Sequence, residues 1–271
     1  MSSFLILISA ILHALWNALA KKNAQPQVAL TGILILCSLF SFAFIPFTGP
    51  HILPSNHALL WGIGSGLFEA GYLISLAITL QNSKIGPSYV IMRGGAMLFV
   101  WLISSLFLNE PFALFTALGV GLVMLGLYLI GPQLKGYLSA YVCSFCIAGY
   151  HLCYGQSLEH GTHPALLFPL SLIISVPALC LYSGKENLKH LKKLFFNRPT
   201  PIIFTGFICA LSFFIFLYGL QTSGAGQALT LRNTSVIFAQ FFALMIGEKV
   251  GRNQWLGAII VAIGASIVSV V

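Results

Sequence analysis

LQNSKIGPSYVIMRGGAMLFVWLISSLFLNE, residues 80–110, and LQTSGAGQALTLRNTSVIFAQFFALMIGE, residues 220–248, are two copies of one segment. Leu80-Gln81 lies over Leu220-Gln221, Ser83 over Ser223, Gly86 over Gly226, Arg93 over Arg232 and Glu110 over Glu248, with a one-residue gap on each side of the arginine. Downstream, ALGVGLVMLGLYLIG (117–131) and WLGAIIVAIGASIVS (255–269) are both apolar and rich in small residues. Each copy places one arginine inside a run long and apolar enough to cross a membrane. The reading of the whole chain follows from that duplication.

The surrounding sequence has the composition of a membrane protein. It is 58% hydrophobic and 7% charged, with a mean hydropathy of +0.94, whereas a soluble chain of this length needs several times more charge to keep its surface in water. A helix needs about 20 apolar residues to cross some 30 Å of hydrocarbon, where the backbone has no water to bond to. Ten such segments fit, at 3–21, 27–47, 57–80, 85–108, 112–131, 135–155, 162–182, 200–220, 225–247 and 253–271. Turn residues separate them, among them Gln25-Pro26, Gly49-Pro50, Gly86-Pro87, Glu110-Pro111, Gly131-Pro132 and Arg198-Pro199, and only the connection 183–199 reads as long and polar. The predicted fold class is therefore an all-α membrane protein with ten transmembrane helices. Five spans per copy is an odd number, so the second repeat (134–271) enters the bilayer inverted relative to the first (1–133). Two inverted five-helix repeats are a transporter architecture, with the substrate near the midplane where the halves meet.

The first segment also mimics a secretory leader, because Ala18-Leu19-Ala20 resembles a cleavage site. Against cleavage, the MSS start carries no positive charge and Lys21-Lys22 follow directly, so the segment is read as a span. The six cysteines all fall inside predicted spans and do not read as a disulfide framework. Cys143-x-x-Cys146 with Cys153 has metal-like spacing, but a second ligand pair is missing, and small residues packing between helices account for it. Gly62, Gly64 and Gly66, and Gly119, Gly121 and Gly126, predict close helix contacts. No phosphate-binding glycine loop, H-E-x-x-H or nucleophile elbow is present, so no nucleotide, metal or other cofactor is expected. The bases sit between apolar spans, which excludes a nucleic-acid surface and points to membrane lipid as their partner.

The stretches HALWN followed by AKK, MRGGAM, LRNTSVIFAQ and GEKVGRNQWLGAIIVAIG resemble the EamA-type members of the drug/metabolite transporter superfamily, in particular a subgroup opening H-A-x-W-N. That resemblance covers both halves. It implies secondary transport or export of small metabolites such as amino acids, in a multi-pass protein of the bacterial inner membrane acting as monomer or homodimer. Two departures stand out. An acid often follows the second-half arginine in the family and here it is Asn233; a proline often follows the first-half Arg-Gly and here the run is RGGAML.

The candidate substrate-binding residues are the polar and aromatic groups placed inside spans. His13 and Asn17 share a stripe with Ser9 and Lys21 at helical spacing, and Trp16 flanks it. A bland reading sends Trp16 to an interfacial aromatic belt and Lys21 and Lys22 to the headgroups, with His13 and Asn17 hydrogen-bonding a neighbouring helix; the functional one lines a central cavity with His13, Trp16 and Asn17. Arg93 and Arg232 lie deep in apolar spans, where an arginine costs roughly 2.5–3.5 kcal/mol on insertion scales. Glu69 is the one acid well inside a span, and a Glu69–Arg93 ion pair is its expected structural use. Two repeat-related arginines suit a carboxylate or phosphate. Tyr72, Tyr89, Tyr150, Tyr154 and Trp101 are candidate aromatic walls, and Gln240 completes the set. Glu110 and Glu248 read as helix-end caps or gates. With Glu69 and His13 as the best titratable groups inside the spans, proton coupling or plain facilitated exchange is expected rather than sodium dependence. The alternative is an intramembrane enzyme acting on lipid through His13 or Glu69.

Eleven of the thirteen bases, Lys21, Lys22, Lys84, Lys135, Lys185, Lys189, Lys192, Lys193, Arg198, Lys249 and Arg252, fall in odd-numbered loops and none in even-numbered ones. Basic loops stay in the cytoplasm, which predicts both termini outside. The family resemblance implies the opposite orientation.

Overall fold

A computed structural model describes residues 2–48, 54–107, 114–130, 134–197, 199–223 and 231–270. Those residues form helices and turns with no strand among them: α1 Ser2–Lys21, α2 Pro26–Phe44 with a 3-10 turn at Ile45–Thr48, α3 Asn56–Asn82, α4 Ile85–Phe107, α5 Leu114–Ile130, α6 Leu134–Glu159, α7 Pro164–Asn197, α8 Pro199–Ser223, α9 Ser235–Met245 and α10 Arg252–Val270. Prolines open α2, α7 and α8, where the missing N–H removes a donor that a first turn leaves unbonded anyway. Ser55 caps α3 by accepting from the Ala58 amide at 3.2 Å. Among the described residues, six helices are long and apolar enough to cross a membrane, and Ala117–Ile130 is a shorter apolar one.

Two segments differ from the sequence reading. The polar connection after residue 183 is helical rather than a loop: α7 runs on to Asn197 after a break at Gly184, whose φ of 73° suits glycine. The segment read as one helix from 225 to 247 is broken: Leu231–Asn233 is one helical turn, Thr234 is a turn residue and α9 starts at Ser235. The cause is local. The Thr234 hydroxyl donates to the Leu231 carbonyl at 2.6 Å, and the nearby backbone bonds become i to i−3, with Thr234 N to Leu231 O at 3.3 Å and Ile237 N to Thr234 O at 3.0 Å. Residues 224–230, and with them Gly226, together with Glu110 and Arg198, lie outside the described residues.

Packing pairs recur when α1–α5 are exchanged for α6–α10. Helix α3 packs on α6 as α8 packs on α1; α3 meets α7 as α8 meets α2; α4 meets α6 as α9 meets α1; and α2–α7, α4–α9 and α5–α10 are each their own mates. The α5–α10 seam is antiparallel and tight. A Cβ on Gly257 would lie 2.6 Å from the Gly126 carbonyl oxygen and 2.6 Å from Ile130 Cγ1, and one on Gly264 would lie 2.6 Å from the Gly119 carbonyl oxygen. Gly257→Leu should therefore destabilise the protein by roughly 1–3 kcal/mol through overpacking. Thermal unfolding of the purified variant checks this, and an unchanged midpoint would mean that the seam yields freely. The cysteines of α6 serve a similar close approach: a Cβ on Gly71 would meet Cys146 Sγ at 2.8 Å, and one on Gly64 would meet Cys153 Sγ at 3.2 Å.

Contacts at the helix ends define two poles. At one, the Lys21 ammonium donates to the Leu80 carbonyl at 2.5 Å and Glu248 accepts from the Ile85 amide at 2.9 Å, joining the ends of α1, α3 and α9 to the start of α4. This is the basic pole. At the other, Ser55 donates to the His160 carbonyl at 3.4 Å and the His57 and His160 rings stack 6.1 Å apart, joining the start of α3 to the end of α6.

Candidate functional site

Between the poles lies a buried cluster built on the α1 stripe. Ser9, His13 and Asn17 recur every fourth residue, so they present one polar edge to α8 and to the turn before α9. Ser9 Oγ donates to the Ser212 carbonyl at 2.7 Å and accepts from Arg232 Nη1 at 2.7 Å. Arg232 Nη2 reaches His13 Nδ1 at 2.9 Å, and Trp16 Nε1 reaches the same nitrogen at 3.3 Å. Guanidinium and indole nitrogens only donate, so Nδ1 is an acceptor and the ring carries its proton on Nε2. Asn17 Nδ2 donates to the His13 carbonyl at 2.9 Å. Trp16 is wholly buried in this contact, which goes against the interfacial-belt reading.

Arg232 is held by two hydrogen bonds and two aromatic rings, while its Nε is buried without a hydrogen-bond partner. Its guanidinium lies 3.9 Å from the Phe216 ring centroid and 4.9 Å from that of Phe213, a sandwich worth about 2 kcal/mol or more when desolvated. The break at Thr234 ends the turn that carries Arg232 two residues after it.

Glu69 is not paired with Arg93 as the sequence suggested. Its Oε2 accepts from the Tyr154 hydroxyl at 2.9 Å and from the Ser171 hydroxyl, and Tyr154 and Ser171 are themselves 3.0 Å apart. Among the described residues the ion pair formed is the exposed Lys189–Glu186. Two hydroxyls thus bond one oxygen of the carboxylate, one from α6 and one from α7.

Arg93 is therefore left differently bound from its repeat mate. Its guanidinium carbon lies 5.8 Å from the Tyr89 ring centroid, and its Nη2 is buried with no hydrogen-bond partner. The Tyr150 hydroxyl is also buried and unpartnered, and the Tyr72, Tyr89 and Tyr150 side chains all interact with the Arg93 guanidinium, Tyr89 within reach of a hydrogen bond. Tyr150 links the two acid–base centres, with its ring 5.5 Å from Tyr72 and 5.3 Å from Tyr154. The two arginines also repel one another. Two guanidinium groups and one carboxylate leave this centre with a surplus of positive charge and open donors.

Most of the candidates thus converge: His13, Trp16, Asn17 and Arg232 on one side, Glu69 and Tyr154 on another, and Tyr72, Tyr89, Arg93 and Tyr150 between them. Trp101 is half-buried, unlike the four tyrosines. Gln240 is buried elsewhere: its Nε2 donates to the Gly86 carbonyl at 2.8 Å, at the basic pole. Sequence reasoning missed His151, stacked on Tyr150 at 4.4 Å and edge-on to Phe216 at 5.5 Å. Its signal was available as a polar residue beside Tyr150 in an apolar span. Phe213, Phe216 and Ser171 gave no signal, since such residues in a span ordinarily pack against neighbours. Among the described residues, no group of three or more His, Cys, Asp or Glu side chains could hold a metal.

Comparison with known proteins places this arrangement. No curated protein matches the chain. The crystal structure of another protein is similar to it in fold, with a TM-score of 0.64 at 16% identity, covering 100% of this chain and 99% of that one. The EamA-like transporter family matches residues 134–270, the second of the two copies with its Arg232 segment and the small-residue helix that follows. A match over half the chain, on the half that carries LRNTSVIFAQ, establishes that this multi-pass membrane protein belongs to the EamA-like transporter family.

Proposed function

We propose that the protein is a secondary transporter, an exporter or exchanger, of a small anionic or zwitterionic metabolite such as an amino acid, working by alternating access. The observation that carries the proposal is the open donor set at the centre. Arg93 Nη2 and Tyr150 OH are buried without partners, and a buried polar group left unpaired costs about 1–3 kcal/mol, more when charged. Such a cost is tolerable if a carboxylate fills the site during part of the cycle, because a guanidinium binds a carboxylate through two parallel bonds. The tyrosines add apolar walls with polar tips. The zwitterion's ammonium group would face Glu69.

The architecture fits this work. Ten crossings arranged as inverted five-helix units, 1–133 and 134–271, are supported by packing pairs that survive exchange of the halves and by the antiparallel α5–α10 seam. A bacterial plasma membrane is the proposed setting, with protons as the coupling ion through Glu69 and His13. A thermal-shift screen of metabolites on the purified protein tests the substrate class, since a ligand that binds only the folded state raises its apparent stability. Carboxylate-bearing compounds should shift the midpoint upward and their neutral amides should not. A pattern led by cations would sink the proposal.

Orientation is a separate expectation. Single cysteines at Asn56 and Asn197, both exposed, in a cysteine-less background should react differently with an impermeant maleimide on intact cells. Labelling at 56 and protection at 197 are expected from the placement of the bases; the reverse pattern would put the basic pole outside.

A further inference from the structure

We infer that the polar edge of α1 continues as the route by which substrate passes between the centre and the basic pole, and that Glu248 latches this route shut in the state described. The inference rests on the transport reading above and adds the path and its gate. From Ser9 to Lys21 the α1 stripe covers roughly 18 Å at 1.5 Å per residue, starting at the Arg232 contact and ending at the basic pole. The His13 ring of this stripe lies 6.3 Å from that of Tyr89 on α4, and α1 packs directly on α9. On these three helices Asn17 Oδ1, Ser88 Oγ, Ser235 Oγ and Gln240 Oε1 are buried and unpartnered. Packing alone does not favour four such atoms between three helices in an apolar environment. Parting of α4 from α9 would give each of them water or substrate as a partner.

The latch closes the end of that run. Helix α9 ends with Gly247 at φ 91°, and the Glu248 amide donates back to the Ala243 carbonyl at 2.9 Å while the Gly247 amide donates to Leu244 at 3.0 Å. This left-handed cap turns the chain sharply at the helix end and delivers the Glu248 side chain to a different helix. Its two oxygens accept from the Ile85 and Gly86 amides at 2.9 and 3.4 Å, the first turn of α4, where open amides and the helix dipole favour a carboxylate. Gln240 adds a second tie, from α9 to the Gly86 carbonyl at 2.8 Å. Gly86 permits this approach, because a Cβ there would lie 2.7 Å from Gln240 Oε1. Lys21, bonded to the Leu80 carbonyl at 2.5 Å, lies in the field of Glu248 and brings α1 to the same junction. One carboxylate thus joins a helix of the first repeat to a helix of the second, at the turn of α4 that Gln240 also reaches.

The test is cysteine accessibility of the full-length protein in membranes. In a cysteine-less background carrying Ser88→Cys, the rate of reaction with a small hydrophilic methanethiosulfonate is compared with and without Glu248→Gln. The expected result is a rate increase of at least about tenfold, equivalent to ~1.4 kcal/mol shifted toward the open state. A control cysteine at Leu34, buried on α2 away from this run, should react no faster. Equal rates at Ser88→Cys in both backgrounds, or an equal rise at the control, would overturn the latch. If Glu248→Gln fails to accumulate, Gln240→Leu removes the second tie and is judged by the same criteria. No substrate is needed for labelling, so a wrong substrate class and a wrong gate give separable results.

Discussion

Arg232→Ala should lower the stability of the protein by roughly 2–4 kcal/mol, the largest effect expected of any substitution at the centre. The side chain gives two charge-assisted hydrogen bonds, to Ser9 and His13, and fills the space between Phe213 and Phe216. Its removal loses all of these and opens a cavity between α1 and α8. Part of the loss is offset, because the variant no longer buries a second guanidinium repelled by Arg93. Packing and hydrogen bonds outweigh that relief, since the ring contacts alone are worth about 2 kcal/mol in a desolvated setting. Arg232→Lys should recover the charge but not the planar fork or the stacking, and so only part of the stability. Denaturation of the detergent-solubilised protein measures both variants. Unaltered unfolding of Arg232→Ala would show that the cation is not structural.

Arg93→Ala should behave in the opposite way. It leaves no carboxylate stranded, because Glu69 is held by Tyr154 and Ser171, and it removes a guanidinium whose Nη2 is already unpartnered. The fold should survive with little change. Ligand binding should not: losing one partner of a desolvated charge pair costs about 3 kcal/mol, roughly a hundredfold in affinity. Titration of the best ligand from the thermal-shift screen against wild type and variant gives the ratio. Equal affinities would remove Arg93 from the site.

The contrast between these two arginines marks what the sequence could and could not convey. Their repeat-related positions and their depth in apolar spans were legible from residue type alone, as was the gathering of His13, Asn17 and four tyrosines, because polar groups in hydrocarbon must face inward. Their unequal roles were not legible. Whether a guanidinium is satisfied depends on which hydroxyls and rings the neighbouring helices present, and Ser9, Phe213 and Phe216 look like ordinary helix-packing residues. The pairing of Glu69 failed for the same reason: charge complementarity suggested an arginine, while two hydroxyls from α6 and α7 were closer. Helix positions were read well where apolar length dominates, as in α1, α3 and α8. They were read less well where one residue resets the backbone, as Gly184 does after the apolar part of α7 and Thr234 does before α9. Glu248 was read as a cap or gate at a helix end, but the helix it caps is α4, a partner that adjacency in sequence does not reveal.

The central claim, that a carboxylate is bound at Arg93 and carried across, is tested most directly in proteoliposomes preloaded with an unlabelled amino acid, by following entry of the labelled compound and of its carboxamide, which keeps the ammonium group and lacks the carboxylate. The account predicts that the carboxylate form accumulates by exchange, that the amide does not, and that Arg93→Ala abolishes the difference while remaining folded. Exchange that proceeds equally for acid and amide, or that is untouched by Arg93→Ala, would contradict it.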